Sequence, residues 1–209
     1  IKNLKKICEK DKSPEIQYIG LTALSRLHGH SPGFFSVYTF PQISIDPKSQ
    51  EKNNRKRNQK PEYRELKSRI FSKMRRDLSK PLPPFYHEFS KKNIYLNESA
   101  DSLSSLKDSS VDLVITSPPF LDKVDYAKDN WMRQWFLGIN KEPKISIFRG
   151  VHDWNFFISG VLKELSRVLK KDAFLVMEVG EVKSGKTEIS LEKEIVLNAK
   201  DTPLFWTKT

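Results

Sequence analysis

Val111-Asp112-Leu113-Val114-Ile115-Thr116-Ser117-Pro118-Pro119-Phe120 decides the fold. Val111, Leu113, Val114 and Ile115 form a short apolar run rich in β-branched residues, the pattern of a central parallel strand buried on both faces. Pro118 and Pro119 then stop it. They remove two backbone donors and fix φ, so the loop that follows is stiff. What projects from it is the Ser117 hydroxyl, the carbonyls of Ser117 and Pro118, and the Phe120 ring. In open α/β sheets ligands sit beyond the carboxyl ends of the strands. Acceptors beside an aromatic plane there suit a flat ring bearing an amino group.

At these residues the chain resembles a family. Thr-Ser-Pro-Pro-Phe is similar to the catalytic motif of the amino-group DNA methyltransferases, of general form Asp/Asn/Ser-Pro-Pro-Tyr/Phe/Trp. The Ser-first form is typical of enzymes that methylate N4 of cytosine, and Asp or Asn of those for N6 of adenine. The resemblance extends back through Tyr95-Leu96-Asn97-Glu98-Ser99. It runs forward through Leu165-Ser166-Arg167-Val168-Leu169-Lys170 to Glu178-Val179-Gly180-Glu181, and includes the upstream segment from Arg26 to Tyr38.

The resemblance implies a Rossmann-like, S-adenosylmethionine-dependent methyltransferase sheet of the restriction-modification type, acting on a base flipped out of double-stranded DNA. It implies that Ser117, Pro118, Pro119 and Phe120 are catalytic, with Ser117 and Pro118 orienting the amino group and Phe120 stacking on the base. It places Asn97, Glu98 and Thr116 against the cofactor, and Tyr126 or Trp131 at the wall of the base pocket. Members usually carry Gly-Asp where this chain has Asn97-Glu98. They also carry a Phe-x-Gly-x-Gly cofactor loop. Eight glycines occur here and none is in a Gly-x-Gly pair. The expectation is therefore a partial sheet and an incomplete or split enzyme, with an upstream segment or a second chain supplying the Gly-rich loop.

Downstream of the motif, Trp131 and Trp135 lie one helical turn apart. His152–Lys170 reads as a helix whose buried stripe is Phe157, Val161, Leu165, Val168 and Leu169, followed by a buried strand at Ala173–Met177. Helix then strand after the motif strand predicts an α/β crossover. Leu204-Phe205-Trp206 reads as a further strand. Upstream, Ile94-Tyr95-Leu96 reads as a short strand leading into the Asn97 turn.

Ahead of that core the composition shifts to lysine and arginine. From Pro61, Leu66, Ile70, Met74 and Leu78 recur every four residues, the pattern of an amphipathic helix with a basic remainder. Arg55, Arg57, Arg64, Lys67, Arg75 and Arg76 are candidate phosphate contacts. His28 and His30, in a Gly- and Pro-broken loop, are candidate DNA contacts, and with no Cys or third His nearby they do not read as metal ligands. Phe34–Phe40 reads as extended, Ile16–Leu27 as helical, and residues 1–13 as a short lysine-rich helix. The resulting division is residues 1–90, basic and helical, for DNA target recognition, and 91–209, the methyltransferase core.

Bulk composition agrees with a nucleic-acid partner. The 209 residues carry a net charge of +11, which favours a polyanion. The single Cys8 excludes an intrachain disulfide framework and fits a reducing, bacterial cytoplasm. No apolar run approaches membrane-spanning length. Three rival readings stay open: N6-adenine methylation, a non-catalytic DNA-binding or specificity subunit of a split methyltransferase, and a metal-dependent nuclease built on Asp172 with Glu181-Val182-Lys183.

Overall fold

A computed structural model of the chain describes residues 1–29, 31–36, 45–121, 126–140, 147–184 and 187–207. These form two units. One is Ile1–Phe89 with Asp125–Ile145, and the other is Ser90–Val124 with Ser146–Thr209. The segment around residues 125–145 thus groups with the N-terminal part rather than with the strands that flank it in sequence.

The regular elements of the first unit among the described residues are helices: α1 (Lys2–Lys10), α2 (Pro14–Leu24), α3 (Pro47–Lys56), α4 (Leu66–Asp77), α5 (Tyr86–Ser90), α6 (Tyr126–Asp129) and α7 (Trp131–Leu137). Its core is Ala23, Leu27, Phe35, Ile70 and Phe136, with Leu4, Cys8, Leu66, Met74 and Met132 packed around them. Helix α4 starts later than Pro61 because Glu65 is the better cap. Its carboxylate accepts from the N–H groups of Lys67 and Ser68 at 2.8 and 2.5 Å, satisfying two of the helix's orphan donors. Helix α3 was not expected. Its signal is Asp46 followed by Pro47, with the Asp46 side chain accepting from Ser49 N at 3.0 Å. Residues 34–36 form no strand, and 37–40 lie outside the described residues.

The second unit holds the parallel pair β1 (Val111–Thr116) and β2 (Leu169–Met177), joined through α8 (Val151–Val168). A hairpin, β3 (Glu181–Ser184) with β4 (Thr187–Ser190), and α9 (Leu191–Ala199) complete it. The sheet is mixed with helix as the α/β reading requires, but among the described residues the parallel sheet has two strands. Neither Ile94–Leu96 nor Leu204–Trp206 is a strand; Ile94 and Tyr95 are largely exposed.

Helix α8 covers one face of the pair. Val161, Leu165, Val168 and Leu169 pack with Val111, Val114, Ala173 and Leu175. The other face is open: Leu113 is 51% exposed, Ile115 74%, Phe174 64% and Val176 51%. Leu113 lies opposite Phe174 and Ile115 opposite Val176, so the four make one apolar patch. This corrects the expectation of burial on both faces. The composition of β1 suits two covers, and the described chain provides one.

Arg167, in the last turn of α8, fixes the approach to β1. Its guanidinium donates to the carbonyls of Leu103 and Leu106, each at 3.0 Å, and to Asp108. It also pairs with Glu164, whose carboxylate accepts from Leu103 N at 2.7 Å. The Arg167 bond first, then the Leu103 N–H, hold the Glu164 carboxyl below the usual carboxylate range. Lys170 at the start of β2 meets Asp112 at 2.7 Å. No helix among the described residues is long and apolar enough to cross a membrane.

Candidate functional site

The Ser117–Phe120 loop leaves the end of β1 anchored on both sides. Before it, the Thr116 carbonyl accepts from Glu178 N at 2.9 Å. After it, Leu121 is buried with Trp154, Ile158 and Leu162. Between these, Pro118 is buried and the Pro119 carbonyl accepts from the indole N–H of fully buried Trp154 at 2.9 Å. Two prolines, one apolar anchor and one indole bond hold the loop.

That anchoring leaves specific atoms unengaged. Among the described residues no hydrogen bond involves Ser117 or Pro118, and Ser117 is exposed. Phe120 is 41% exposed. The loop therefore offers the Ser117 hydroxyl and carbonyl and a 41% exposed aromatic ring at the carboxyl end of a parallel strand, while Pro118, expected to project from it, is buried. Such a set can accept both N–H bonds of a planar amino group while its ring is held by stacking.

The cofactor side is less complete. Thr116 is half-buried at the end of β1, and Asn97 is exposed. Glu98 turns to its own chain: Ser105 donates to it from N, at 3.2 Å, and from the hydroxyl. Glu98 is thus held by Ser105, and Ile94–Leu96 ahead of it form no strand. Tyr126 and Trp131 belong to the first unit, on α6 and α7, where the Trp131 indole donates to Ile45 O at 3.1 Å.

The expected DNA contacts divide in two. Arg55 and Arg57 are exposed on and just after α3, and Lys67, Arg75 and Arg76 are exposed on α4. Arg64 and His28 are not. The Arg64 side chain is 10% exposed, and its Nη1 donates to the carbonyls of Ser31, Phe34 and Ser36 at 3.2, 3.1 and 2.7 Å. Its charge holds the Gly-Pro loop together. His28 is buried, and His30 lies outside the described residues. For the nuclease reading, Asp172 sits in the first half of β2 and Glu181 follows its far end. No group of three or more His, Cys, Asp or Glu side chains among the described residues is placed to hold a metal.

Two structural residues had no sequence argument. Trp154 extends the α8 stripe one turn back from Ile158 and two from Val161, so its burial was readable. Arg167 lay inside the quoted Leu-Ser-Arg-Val-Leu-Lys string, but nothing local told that its partners are carbonyls some sixty residues earlier.

Against known proteins, no family model matches and no solved structure matches. Over 100 residues, 48% of this chain, it is 27% identical to the release factor glutamine methyltransferase of Bifidobacterium longum (strain NCC 2705). The match covers 32% of that relative, so the chain spans about a third of its length. The similarity is to a methyltransferase of a protein glutamine, and does not single out a DNA-modifying family.

Proposed function

We propose that the chain is the acceptor-binding part of an S-adenosylmethionine-dependent methyltransferase that modifies the exocyclic amino group of a flipped DNA base, N4 of cytosine. The observation that carries this is the Ser117–Phe120 loop: fixed by Trp154 and Leu121, with the exposed Ser117 making no hydrogen bond among the described residues and the Phe120 ring 41% exposed. The net charge of +11 supports a polyanionic substrate.

An exocyclic amine is a poor nucleophile because its lone pair is delocalised into the ring. Acceptors on Ser117, its hydroxyl and its carbonyl, that bind its two N–H bonds favour a pyramidal nitrogen with the lone pair directed away from the loop. The methyl donor, when bound, supplies a methyl on a sulfonium sulfur that needs no further activation. The loop's work is orientation, which is worth about 7–11 kcal/mol in well-ordered reactions. Extruding a base costs a few kcal/mol, and stacking on Phe120 offsets about 1–3 kcal/mol of it. The Gly-rich donor loop that the resemblance implies, and that this sequence does not contain, is assigned to an upstream segment or a second chain.

A second reading rests on the relative. A glutamine amide is also a planar, conjugated NH2, and the same acceptors would serve it. Labelled methyl transfer from S-adenosylmethionine, offered duplex DNA or a glutamine-containing peptide, separates them. N4-methylcytosine supports the proposal, N6-methyladenine moves it to the other base, and labelled peptide alone replaces it with the second reading. Ser117→Ala and Phe120→Ala should each slow transfer, Phe120→Ala by roughly 5- to 150-fold, the rate equivalent of lost stacking. Full rates in both variants would remove the loop from the mechanism.

A further inference from the structure

The first unit carries a second site. A surface cleft of about 460 Å3 lies between the Ser31-Pro32-Gly33 turn and one face of α4, lined by Arg26, Ser68, Arg69, Ser72, Lys73 and Arg76 with that turn. Four of the nine lining residues are cationic, three carry hydroxyls and none is acidic. We propose that this cleft is a phosphate-binding site that grips the backbone of nucleic acid. It rests on the nucleic-acid part of the reading above, and names the residues that would make the contact.

The helix explains the clustering. Arg69, Ser72, Lys73 and Arg76 are spaced i, i+3, i+4, i+7, so they share one face. The core face is a different one, with Leu66, Ile70 and Met74. Like charges three and four apart destabilise a helix, so the stripe is not there for helix stability. Lys73 has one opposing carboxylate, Asp77; Arg76 has none among the described residues.

Two arginines are held in place. Arg69 donates from Nε to Pro32 O and from Nη1 to Glu65 O, each at 2.9 Å, which fixes its fork against the cleft wall. The Arg26 guanidinium lies over the Phe34 ring, 5.0 Å from its centroid. Its Nε is buried and has no hydrogen-bond partner. A buried cationic N–H without an acceptor is costly, and an anion beside the guanidinium of this cleft-lining residue would offset that cost through its charge. Rigid guanidinium forks, an ammonium and hydroxyls are the set that recognises phosphate oxygens.

The test is binding of the whole chain to a short fluorescent DNA duplex between about 50 and 200 mM salt, with no methyl donor present. Lys73→Gln/Arg76→Gln should make the slope of log K against log salt shallower by about 1 to 2. Lys2→Gln/Lys6→Gln on α1, with the same change in net charge, should leave it unchanged. Arg76→Lys should keep most of the slope. Thermal melting confirms that each variant folds. Equal slopes in wild type and the cleft variant overturn the proposal. So does saturable binding of inorganic phosphate that the cleft variant abolishes while duplex binding stays intact, because the ligand is then a small phosphorylated molecule. Methyl transfer is not the readout. A chain that grips DNA through the cleft but modifies nothing refutes the proposed reaction alone, and one that methylates with an unaltered slope refutes the cleft alone.

Discussion

The β1–α8–β2 crossover and the basic stretch at 49–80 were both singled out by sequence, and they fare differently. In the crossover, apolar residues set position, and a hydrophobic pattern states where a side chain must go. In the basic stretch the informative residues are cations, and charge does not say which way a side chain points. Arg64 and Arg76 are the same residue type, twelve positions apart. One is buried under three carbonyls and the other is exposed at the end of α4. An arginine's long stem and planar fork let it serve as internal scaffold as readily as ligand contact.

The largest effect is expected in the crossover. Trp154→Ala should cost about 3–5 kcal/mol, because it opens a cavity among Leu121, Ile158 and Leu162 and removes the donor from Pro119 O. Chemical denaturation reads the loss. A cost under about 1 kcal/mol, no more than an ordinary substitution, would mean the loop is not anchored by that packing.

Next is the test of the contrast itself. Arg64→Met should destabilise by roughly 2–3 kcal/mol, since three carbonyls lose a charged donor. Arg64→Lys should recover only part of this, because one ammonium cannot reach both the three carbonyls held by Nη1 and Glu62, to which Nε donates at 2.8 Å. Arg76→Gln should leave the melting temperature unchanged. If Arg64→Met instead altered only DNA binding, the division between scaffold and contact cations would collapse.

Smaller still is Trp154→Phe. It keeps one aromatic ring but deletes the N–H and part of the buried surface, so it should cost about 1–2 kcal/mol, while the freed Pro119 carbonyl loosens the loop. A fall in methyl transfer larger than the fall in stability would locate the function in loop position.

Legibility follows the same line. β1, α8, the latter part of β2 and the proline stop were readable because period and length specify them. The open face of β1 was not. Leu113 and Ile115 look as apolar as Val114, and no local signal tells whether a second cover exists. Helix α4 was readable to within its first turn, where Pro61 misled and Glu65 capped. Helix α3 hid in a run of charges although Asp46-Pro47 announced it. At the site, the proline stop and the exposure of Ser117 were legible, since proline chemistry is local, but the burial of Pro118 was not. Glu98's attachment to Ser105 was not, because a seven-residue return depends on the turn's conformation.

The smallest effect distinguishes the regions by acid. Glu164 in the crossover and Glu65 at the start of α4 both have carboxyls held below their usual range. For Glu164 the Arg167 guanidinium is the first cause; for Glu65 it is the backbone N–H of Ser68. A depressed carboxyl contributes stability that is fully present above the ordinary value of 4.5. That contribution fades as pH falls from there through the folded-state value. Neutralising either residue should therefore lower stability at pH 7 and flatten its decline below that value. Glu65→Gln keeps an oxygen that can still accept from Lys67 and Ser68, so its melting temperature at neutral pH should fall by no more than about 2–4 °C. Glu164→Gln loses the charge that faces Arg167 and should fall further. Melting curves from neutral pH down through the carboxylate range order the two. If Glu65→Gln proved the more damaging, the cap would matter more than the guanidinium network, and the basic stretch rather than the crossover would be the more tightly specified part of the chain.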